Sequence, residues 1–537
     1  MKIAGLHSGH DCSFCILEDG IPIFHAELER YTREKQAPGD SLKFLFEEYK
    51  NHSDIKHFAH TTDIYQGGIQ GRYPNSYSKM KTCLQQSDGS FYEPGHHQAH
   101  AANAFFSSNF DEALIVTLDG GGPDYNLLKK EESPIICTIT VWSGKGNKIR
   151  PIAYLKEDLI NIGVMWNIFT TKIFGLSGGY PKGDQAGSVM AMGSMGDPSR
   201  YINIVERLQF KHPTHFTALQ HQEFVGLIEE AKISEKNKFD IAAALQACTE
   251  TYVQKIIGKF VDSTKTENLC LAGGVALNSV MTGKISEWYN GKFKNIYIPP
   301  VPYDAGLSIG AAQYVWHQIL GNPRVKWGDN ASPYLGVTYG NEEIMSEISK
   351  FNNISFEKIS IEDMLKRVAD GKIVSVFSGK SESGRRALGN RSIIADPRNP
   401  NMKDIINEKV KHRQWYRPFA PSILREAVKE YFVRDVESPY MSIVLKFKPE
   451  MGKKVPAVNH YDGTARLQTV TEKDNPTYYN LLKKWEEISG VPIILNTSFN
   501  DREPIVETPL HALNCFIGTN IDYLYFADEE IMVSKND

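Results

Sequence analysis

The densest group of residues that could do chemistry is the run PGHHQAHAANAFF. Pro94 and Gly95 precede a predicted helix that carries His96, His97 and His100. Because His96 and His100 are four residues apart, both imidazoles project from one helical face and could share a metal ion. Position 97 is His rather than the Glu of an HExxH motif, so we do not expect a zincin protease.

Two carboxylates complete a candidate metal set. Asp119 follows the predicted strand ALIVTL, and Asp304 precedes a predicted helix that it is expected to cap. Two His and two Asp make a mixed nitrogen and oxygen set that suits Fe(II), Mn or Zn better than Ca. An isolated HxxxH pair is more often a pair of surface histidines, so the metal hypothesis depends on the surrounding fold.

The elements that must position these residues repeat along the chain. Residues 2–29 predict three strands (KIAGL, SFCIL, IPIFHAE), and residues 113–156 predict three more (ALIVTL, ICTITVW, IRPIAYL), with DGGGPD as a turn. Asp11 and Asp119 follow the first strand of each copy. This doubling, with helices after each copy, is the layout of the actin and sugar-kinase (ASKHA) fold, in which Gly-rich turns approach nucleotide phosphates.

Two glycine clusters fall where that fold would hold a nucleotide. They are DGGG at 119–122 and AGGVALN at 272–278. Tight turns need glycine in any case, so each cluster alone is weak support, and their joint placement is stronger. The predicted nucleotide-binding residues are Gly120, Gly121, Gly273, Gly274 and Asn278.

A change in composition divides the chain. The sequence KWGDNASPYLGVTYGNEE within 325–350 is polar and rich in turn residues, and we place the domain boundary between 345 and 346. Residues 1–345 would form the duplicated domain. Residues 346–537 would form a second α/β domain with strands such as KIVSVFS and VPIILN and a helix around 476–488.

The second domain carries many cations between turn residues, as in SGRRALGNRS and YRPFAPS. A solvated basic helix would not contain so much Gly and Pro, so this pattern favours an anionic ligand held by Arg forks and Lys point charges. VSVFSGKS resembles a P-loop, but position 374 is Val where that motif needs Gly. The basic residues are Lys380, Arg385, Arg386, Arg391, Arg398, Lys409, Lys411, Arg413 and Arg417, with Arg466 further on.

Composition excludes several classes of protein. The 537 residues are 41% apolar and 23% charged, which is ordinary for a globular protein. The net charge of −4 argues against a general nucleic-acid or membrane-coating role. No apolar run approaches the roughly 18 residues needed to span a bilayer. The N-terminus does not read as a signal peptide, and seven scattered Cys fit reduced thiols, so we expect a cytoplasmic protein.

In combination, the motifs resemble the ATP-dependent O-carbamoyltransferases that modify nodulation factors, cephamycin and tobramycin. The similarity covers nearly the whole chain. The matching segments are GHDCSF, ERYTREK, HHQAH followed by LDGGG, DIAAALQ, LAGGVALNS, DAGLSIGAA, RALGNRSI, RPFAPS, DGTARLQTV and NTSFNDREPIV. The N-terminal half is then similar to the threonylcarbamoyl-transfer enzymes of tRNA modification, and the C-terminal part to their YrdC-like, adenylate-forming partner.

The resemblance implies a reaction in two steps. The C-terminal domain would form carbamoyl-AMP from carbamoyl phosphate and ATP, with Mg accompanying the ATP. The N-terminal domain would transfer the carbamoyl group to a hydroxyl of a small-molecule acceptor, such as a natural product or a sugar. A passage enclosed within the protein would protect the labile intermediates from water.

The resemblance also implies roles for individual residues. His96, His100, Asp119 and Asp304 match metal ligands, most simply for Fe(II), and His10 and Asp11 would polarise the acceptor hydroxyl. Residues that would hold carbamoyl phosphate and the adenylate are Arg386, Lys411, Arg417, Arg466, Asn496 and Ser498. Two positions depart from the family pattern: Arg385 stands where many members have Pro, and Ser188 where many have Lys.

Other functions remain open at this stage. One is carbamoylation of a hydroxylated base in nucleic acid, against which the net charge weighs. Another is a non-catalytic actin or Hsp70-like ATPase module, which leaves the second domain and the His and Asp set unexplained. A hydrogenase-maturation enzyme would also need paired CxxC motifs, and this chain has only Cys12 and Cys15. The acceptor, and whether the protein is a monomer or a homodimer, cannot be read from the sequence.

Overall fold

The computed structural model describes residues 1–38, 55–62, 89–129, 134–177, 185–326 and 331–536. The chain divides into two compact units, Met1–Ala331 and Ser332–Asp537. Among the described residues, no helix is both long enough and apolar enough to cross a bilayer.

The strands of the first unit form two sheets. They are Lys2–Ser8 (β1), Ser13–Glu18 (β2), Ile21–Glu27 (β3), His57–Thr62 (β4), Ser90–Tyr92 (β5), Glu112–Asp124 (β6), Ile135–Lys145 (β7), Lys148–Lys156 (β8), Asn268–Ala272 (β9) and Asn295–Tyr297 (β10). The sheet orders are β3-β2-β1-β4-β5 and β8-β7-β6-β9-β10. In both sheets three antiparallel strands are followed by two parallel ones on the other side of the first strand. The predicted duplicated, actin-like layout is confirmed.

The helices of the first unit lie mainly after each copy of the three strands. They are Leu28–Thr32 (α1), His96–Phe106 (α2), Ile162–Ile168 (α3), Ala186–Gly193 (α4), Ile202–Arg207 (α5), Ala218–Ile233 (α6), Glu235–Val261 (α7), Ser279–Lys284 (α8) and Leu307–Tyr314 (α9). Helix α2 begins as the sequence predicts. Gln98 Oε1 accepts a hydrogen bond from the Gly95 N–H, which satisfies one of the unpaired donors of the first turn.

Glycines let α9 pack closely against its neighbours. A Cβ at Gly5 on β1 would lie 1.8 Å from the Ser308 carbonyl oxygen, and one at Gly310 would lie 1.9 Å from the Ala99 carbonyl oxygen. No residue with a side chain fits at such distances, so β1, α2 and α9 approach through backbone. This packing brings the histidines of α2 close to Asp304, which stands just before α9.

The structure corrects one local prediction at the first glycine cluster. DGGGPD is not a turn, because β6 continues through it as a single strand, Glu112–Asp124. The pairing with β7 is interrupted between Leu118 and Gly122 and then resumes from Gly122 to Asp124. Asp119 therefore lies within an irregular stretch of strand, where the side chain can turn away from the regular ladder.

The second unit is built on one nine-stranded mixed sheet. Its strands are Ile354–Lys358 (β11), Val374–Phe377 (β12), Arg391–Ala395 (β13), Ala420–Leu424 (β14), Ile443–Lys446 (β15), Thr464–Val470 (β16), Ile493–Ser498 (β17), Tyr523–Phe526 (β18) and Ile531–Lys535 (β19). The order is β11-β19-β18-β12-β13-β17-β14-β16-β15. Apolar clusters cover both faces, one of them around the buried Trp485 and the other around residues such as Ile423 and Phe499.

Seven helices of the described chain accompany this sheet, so the predicted α/β class of the second domain is confirmed. They are Asn341–Ile348 (α10), Ile361–Ala369 (α11), Met402–Lys409 (α12), Val428–Tyr431 (α13), Pro449–Lys454 (α14), Pro476–Ser489 (α15) and Pro509–Ile517 (α16).

The two units meet earlier in the chain than the sequence indicated. The contact boundary lies between Ala331 and Ser332 rather than between 345 and 346. The segment in between belongs to the second unit for two reasons. Tyr334 forms a β-bridge with Glu382, and Ile344 and Ile348 of α10 are buried in the core of that unit.

Candidate active site

Four buried side chains of the first unit converge as predicted. They are His96 and His100 of α2, Asp119 of β6 and Asp304, and we call them the His/Asp cluster. Their potential ligand atoms all lie within 4.8 Å of one another. His96 Nε2 is 2.9 Å from Asp119 Oδ2, and His100 Nε2 is 3.4 Å from Asp304 Oδ1.

The donor chemistry of this cluster fits a divalent metal ion. Two imidazole nitrogens and two carboxylate oxygens form a mixed set of the kind that binds Fe(II), Mn or Zn. His100 Nε2 has only long contacts, of 3.5 Å to Asp119 and 3.4 Å to Asp304, and its buried Nδ1 has no hydrogen-bond partner among the described residues. A buried imidazole without such a partner is costly unless something else binds it.

The electrostatics of the cluster point the same way. Burial alone would lower the pKa of His100, but the carboxylates of Asp119 and Asp304 outweigh it and raise that pKa to about 9. Burial would raise the pKa of Asp119, and the neighbouring His100 and His96 instead hold it well below its usual value. The pKa of Asp304 is lowered as well, so both carboxylates stay ionised and are stabilised by a positive charge placed between them.

The neighbouring His97 is held apart from this cluster. Its Nε2 lies 2.8 Å from the Cys137 carbonyl oxygen, which can only accept, so Nε2 carries the proton. Nδ1 then accepts from the Thr117 hydroxyl at 2.6 Å. Burial, with the neighbouring imidazoles, lowers the pKa of His97 to about 3. It is therefore a neutral structural residue.

Two glycines make room for the cluster. A Cβ at Gly122 would lie 2.1 Å from the His96 ring. Gly274 donates its N–H to Asp119 Oδ1 at 3.1 Å, which orients this carboxylate towards the histidines. The second glycine cluster thus contacts the first through Asp119.

Asp304 does not cap a helix, contrary to the sequence prediction. It is the first residue of a short 3₁₀ helix, Asp304–Gly306, whose N-cap position is Tyr303, and its carboxylate points to the histidines instead. Buried partners fix the residues on either side. The Tyr303 hydroxyl donates to Glu27, and the Ala305 carbonyl accepts from the Ser13 hydroxyl at 2.7 Å.

His10 and Asp11 lie beside this cluster. His10 Nδ1 is 2.9 Å from Asp11 Oδ2, and His10 Nε2 is 3.3 Å from Asp304 Oδ2. The His10 side chain is 47% exposed, so a substrate can reach it, whereas Asp11 is buried. Asp11 adopts a positive φ of 57°, a conformation that Asp tolerates in a tight turn.

The remaining residues that were predicted to bind nucleotide differ in their surroundings: three are glycines of the two clusters, and the fourth, Asn278, has a side chain. A Cβ at Gly120 would meet nothing within 4 Å, and Gly121 and Gly273 have positive φ angles of 134° and 92°. Asn278 is bound within the protein. Its Oδ1 accepts from the Met281 N–H at 3.1 Å, and its Nδ2 donates to Gln246 at 2.9 Å.

The second unit contains a concentration of half-buried cations. Arg386, Arg413, Arg417 and Arg466 lie close enough to influence one another, and we call them the arginine cluster. Burial lowers the pKa of Arg413 and of Arg466 well below the usual value, and the neighbouring guanidinium groups lower them further. Among the described residues, no carboxylate contributes to either pKa. Such a set is stabilised by an anion.

Other basic residues of this region already have partners. Arg391 is fully buried and donates to backbone carbonyl oxygens, among them that of Ser378 at 2.6 Å. Arg398 forms an ion pair with Asp396 at 2.7 Å. The buried Lys411 ammonium donates to Ser498 and to Asn500, whose carbonyl oxygen and Oδ1 are each 2.7 Å away. Lys411 therefore supports the chain around Ser498 at the end of β17.

Asn496 lies on the same strand, two residues before Ser498. It is 1% exposed, and its Nδ2 lies within hydrogen-bonding distance of Ser422, Gln468 and the Ala387 carbonyl oxygen. Asn496 and Arg466 therefore both lie beside the segment RRALG. Asn496 contacts the Ala387 carbonyl oxygen of that segment, and the Arg466 guanidinium lies close enough to that of Arg386 for the two charges to interact.

The comparisons with known proteins identify the family. The family model described as Carbamoyltransferase N-terminus matches residues 65–313, and the one described as Carbamoyltransferase C-terminus matches residues 365–535. The chain belongs to the carbamoyltransferase family. The resemblance deduced from the motifs is confirmed, and the protein is a transferase.

Two relatives of this carbamoyltransferase match over most of their length. An uncharacterised protein of Synechocystis is 37% identical over 80% of this chain and 74% of its own. Nodulation protein NolNO of Sinorhizobium fredii is 32% identical over 96% of this chain and 78% of its own. Among solved structures, component A of (R)-2-hydroxyglutaryl-CoA dehydratase from Acidaminococcus fermentans is 13% identical, covers 58% of this chain and 97% of its own, and has a TM-score of 0.36.

The sequence alone did not single out two residues that lie beside the predicted ones. Arg413 was noted only as one of many cations, and Gln468 was given no role. The signal was present in the spacing. Lys411 and Arg413 flank His412, whose φ of 44° is not extended, but Arg466 and Gln468 are two residues apart on β16. In an extended chain that spacing puts side chains on one face.

The two departures from the family pattern have different surroundings. Ser188 is fully buried on α4, and its hydroxyl lies 3.3 Å from Gln185 Oε1. Gly183 and Asp184 of the same segment lie outside the described residues. Arg385 is half-buried, and nothing in the structure explains the replacement of Pro by Arg there.

Proposed function

We propose that this chain is an O-carbamoyltransferase that makes carbamoyl-AMP in the second unit and uses it in the first. The observation that carries the proposal is the arginine cluster. Half-buried guanidinium groups that lower one another's pKa, as those of Arg413 and Arg466 do, would suit in a carbamoyltransferase the two polyanionic substrates carbamoyl phosphate and ATP.

The first half-reaction would take place at the arginine cluster. Water splits carbamoyl phosphate into carbamate and phosphate, and a carbamate oxygen then attacks the α-phosphorus of ATP, releasing pyrophosphate. Arg386, Arg417 and Arg466 would stabilise the charge that develops on the phosphate oxygens, and Mg would accompany the ATP. Asn496 and Ser498 would contact the carbamoyl phosphate, with Lys411 supporting the strand end that carries Ser498.

The second half-reaction would take place beside the His/Asp cluster. The hydroxyl oxygen of the acceptor attacks the carbamoyl carbon, its proton passes to His10 Nε2, and AMP leaves. The contact of 2.9 Å between His10 Nδ1 and Asp11 fixes the ring in the orientation that this transfer needs. The partial exposure of His10 gives an acceptor access to the ring.

The adenylate would be held by both backbone and metal. The backbone around Gly120 and Gly121 would approach the phosphate, because a Cβ at Gly120 would meet nothing within 4 Å. The N–H of Gly273 already donates to the Pro302 carbonyl oxygen at 2.6 Å, so Gly273 would line the site without donating to the phosphate. His96, His100, Asp119 and Asp304 would hold a divalent ion, Fe(II) in our proposal with Mn or Zn as alternatives, and the bound ion would supply positive charge for the phosphate of the leaving AMP.

The acceptor is proposed to be a small hydroxylated molecule, a natural product or a sugar. Several relatives bear the name nodulation protein, which supports a small-molecule acceptor. The overall charge of −4 offers little attraction to nucleic acid.

The test is pyrophosphate release from purified protein given ATP and Mg, with and without carbamoyl phosphate, and with no acceptor. Release that requires carbamoyl phosphate is the expected result. Production of ADP instead, independent of carbamoyl phosphate, would favour an ATPase module and refute the proposal.

A further inference from the structure

The side-chain amide of Asn496 is buried beside the arginine cluster, and only its nitrogen has hydrogen-bond partners among the described residues. Asn496 Nδ2 lies within hydrogen-bonding distance of three acceptors: the Ala387 carbonyl oxygen at 3.1 Å, Ser422 Oγ at 3.0 Å and Gln468 Oε1 at 3.0 Å. Asn496 Oδ1 is buried and has no partner among the described residues. A buried carbonyl oxygen left in this way is costly, so it calls for a donor from a ligand.

Gln468 determines that the oxygen of the Asn496 amide, rather than its nitrogen, is the atom without a hydrogen-bond partner among the described residues. Its Nε2 donates to the Leu388 carbonyl oxygen at 2.8 Å, so its Oε1 must face Ser422 and Asn496. That oxygen accepts from the Ser422 hydroxyl at 2.7 Å and from Asn496 Nδ2. If the Asn496 side-chain amide were rotated by half a turn, its oxygen instead of its nitrogen would face the three acceptors, and no hydrogen bond would form with them. The orientation therefore follows from the network rather than from Asn496 alone.

The sheet register puts this network and the cations on one face. Ser422 of β14 pairs with Gln468 of β16, and Asn496 of β17 pairs with Ala420, two residues before Ser422. Arg466 is likewise two residues before Gln468, so its side chain leaves β16 on the same face. The unpaired oxygen and a guanidinium group thus belong to the same side of three adjacent strands.

We infer that Gln468 is a positioning residue that makes Asn496 Oδ1 an acceptor for the N–H of the carbamoyl group. This inference rests on the proposed function and gives it a basis for substrate choice. A carbamoyl group presents N–H where an acetyl group presents a methyl and a carboxyl group presents a negative oxygen. The amide therefore selects carbamoyl phosphate against acyl phosphates of nearly equal size, while the arginines bind the phosphate that all of them share.

Three stable analogues test the selection by calorimetric titration. Phosphonoacetamide carries the N–H, acetonylphosphonate replaces it with a methyl, and phosphonoacetate replaces it with a negative oxygen. The wild-type protein should bind phosphonoacetamide at least about tenfold more tightly than either of the others, the usual worth of a hydrogen bond to a buried acceptor. Equal affinities would overturn the inference.

Variants separate orientation from general damage. Gln468→Met removes both halves of the amide, so the preference should fall to within about twofold while acetonylphosphonate binds as before. Gln468→Glu keeps an acceptor facing Asn496 and should retain the preference. A Gln468→Met protein that keeps the tenfold preference would refute the positioning role.

A control variant on the same strand shows whether a loss of stability alone changes the ligand preference. Thr469 Oγ1 accepts from the Ser438 N–H at 2.9 Å, and Thr469 is as buried as Gln468 but has no contact with Asn496. Thr469→Val should lower stability and leave the preference intact. Should Gln468→Met fail to fold, Ser422→Ala removes another acceptor of Asn496 Nδ2 and should also reduce the preference; an unchanged preference there would refute the network.

Failure of this inference differs from failure of the proposed function. A protein that releases pyrophosphate only with carbamoyl phosphate, yet binds the three analogues equally, would keep the function and lose the role of Gln468. A protein that shows neither the release nor any binding of the analogues would lose both.

Discussion

His96 and His97 are adjacent in sequence and serve different purposes. His96 faces Asp119 in the His/Asp cluster, whereas His97 bonds to Thr117 and to the Cys137 carbonyl. Replacing His96 by Ala removes one of the four proposed ligands, so we expect both metal content and transfer activity to fall at least about tenfold. Metal is measured by mass spectrometry after purification. Pyrophosphate release, which we assign to the other unit, should stay near the wild-type rate.

The matched control is His97→Gln. It should lower stability through the lost hydrogen bonds, but metal content should remain. Full metal content in His96→Ala would mean that the ligand set is wrongly assigned.

Arg466 and Arg398 should respond differently to replacement by Met, in both stability and activity. Among the residues that the structure describes, no carboxylate contributes to the pKa of Arg466. Arg466→Met therefore relieves desolvation and repulsion, and we expect the free energy of unfolding to hold or to rise by about 1 kcal/mol. The same change should abolish pyrophosphate release. Denaturant titration and the pyrophosphate assay check the two effects.

Arg398→Met breaks the ion pair with Asp396 and should destabilise the protein. If Arg466→Met instead lost stability as Arg398→Met does, then Arg466 would have a structural partner. Transfer from supplied carbamoyl-AMP should survive in Arg466→Met, since that step is assigned to the first unit.

At the scale of elements, the course of β6 past α2 decides whether the proposed metal site can form. A Cβ at Gly122 would overlap the His96 ring, whereas one at Gly120 would meet nothing within 4 Å. Gly122→Ala should therefore cost about 1–3 kcal/mol of stability and lose metal, because the ring must move. Gly120→Ala, two residues away on the same strand, should retain fold and metal. Thermal unfolding and metal analysis compare them, and equal behaviour of the two variants would count against this packing.

The sequence predicted the elements better than it predicted what their side chains contact. The spacing of His96 and His100 was sufficient to put both on one face, and the duplicated strands were sufficient to predict the fold. Asp304 looked like a helix cap because the sequence does not show that β1, α2 and α9 pack through glycine. Arg391 and Arg466 read alike as cations, and only the tertiary structure shows that backbone carbonyls already satisfy Arg391.

At the scale of the whole molecule, the boundary at 331/332 makes a prediction about fragments. A fragment of residues 332–537 retains the complete second unit, including α10, and should unfold cooperatively. A fragment of residues 346–537 follows the boundary read from the sequence and lacks Ile344. That residue is buried in the core, so its loss should cost about 3 kcal/mol or more.

Chemical denaturation compares the two fragments. Equal stability would support the boundary at 345/346 instead. The longer fragment should also release pyrophosphate when given ATP and carbamoyl phosphate, because the arginine cluster is complete within it.

The central claim is that one chain makes an adenylate at its arginine cluster and uses it elsewhere. The most direct test is rapid-quench analysis of the full-length protein with ATP and carbon-labelled carbamoyl phosphate, without acceptor. The account predicts label that migrates as carbamoyl-AMP, in step with pyrophosphate. Label that never joins the nucleotide, with ADP as the only nucleotide product, would contradict it.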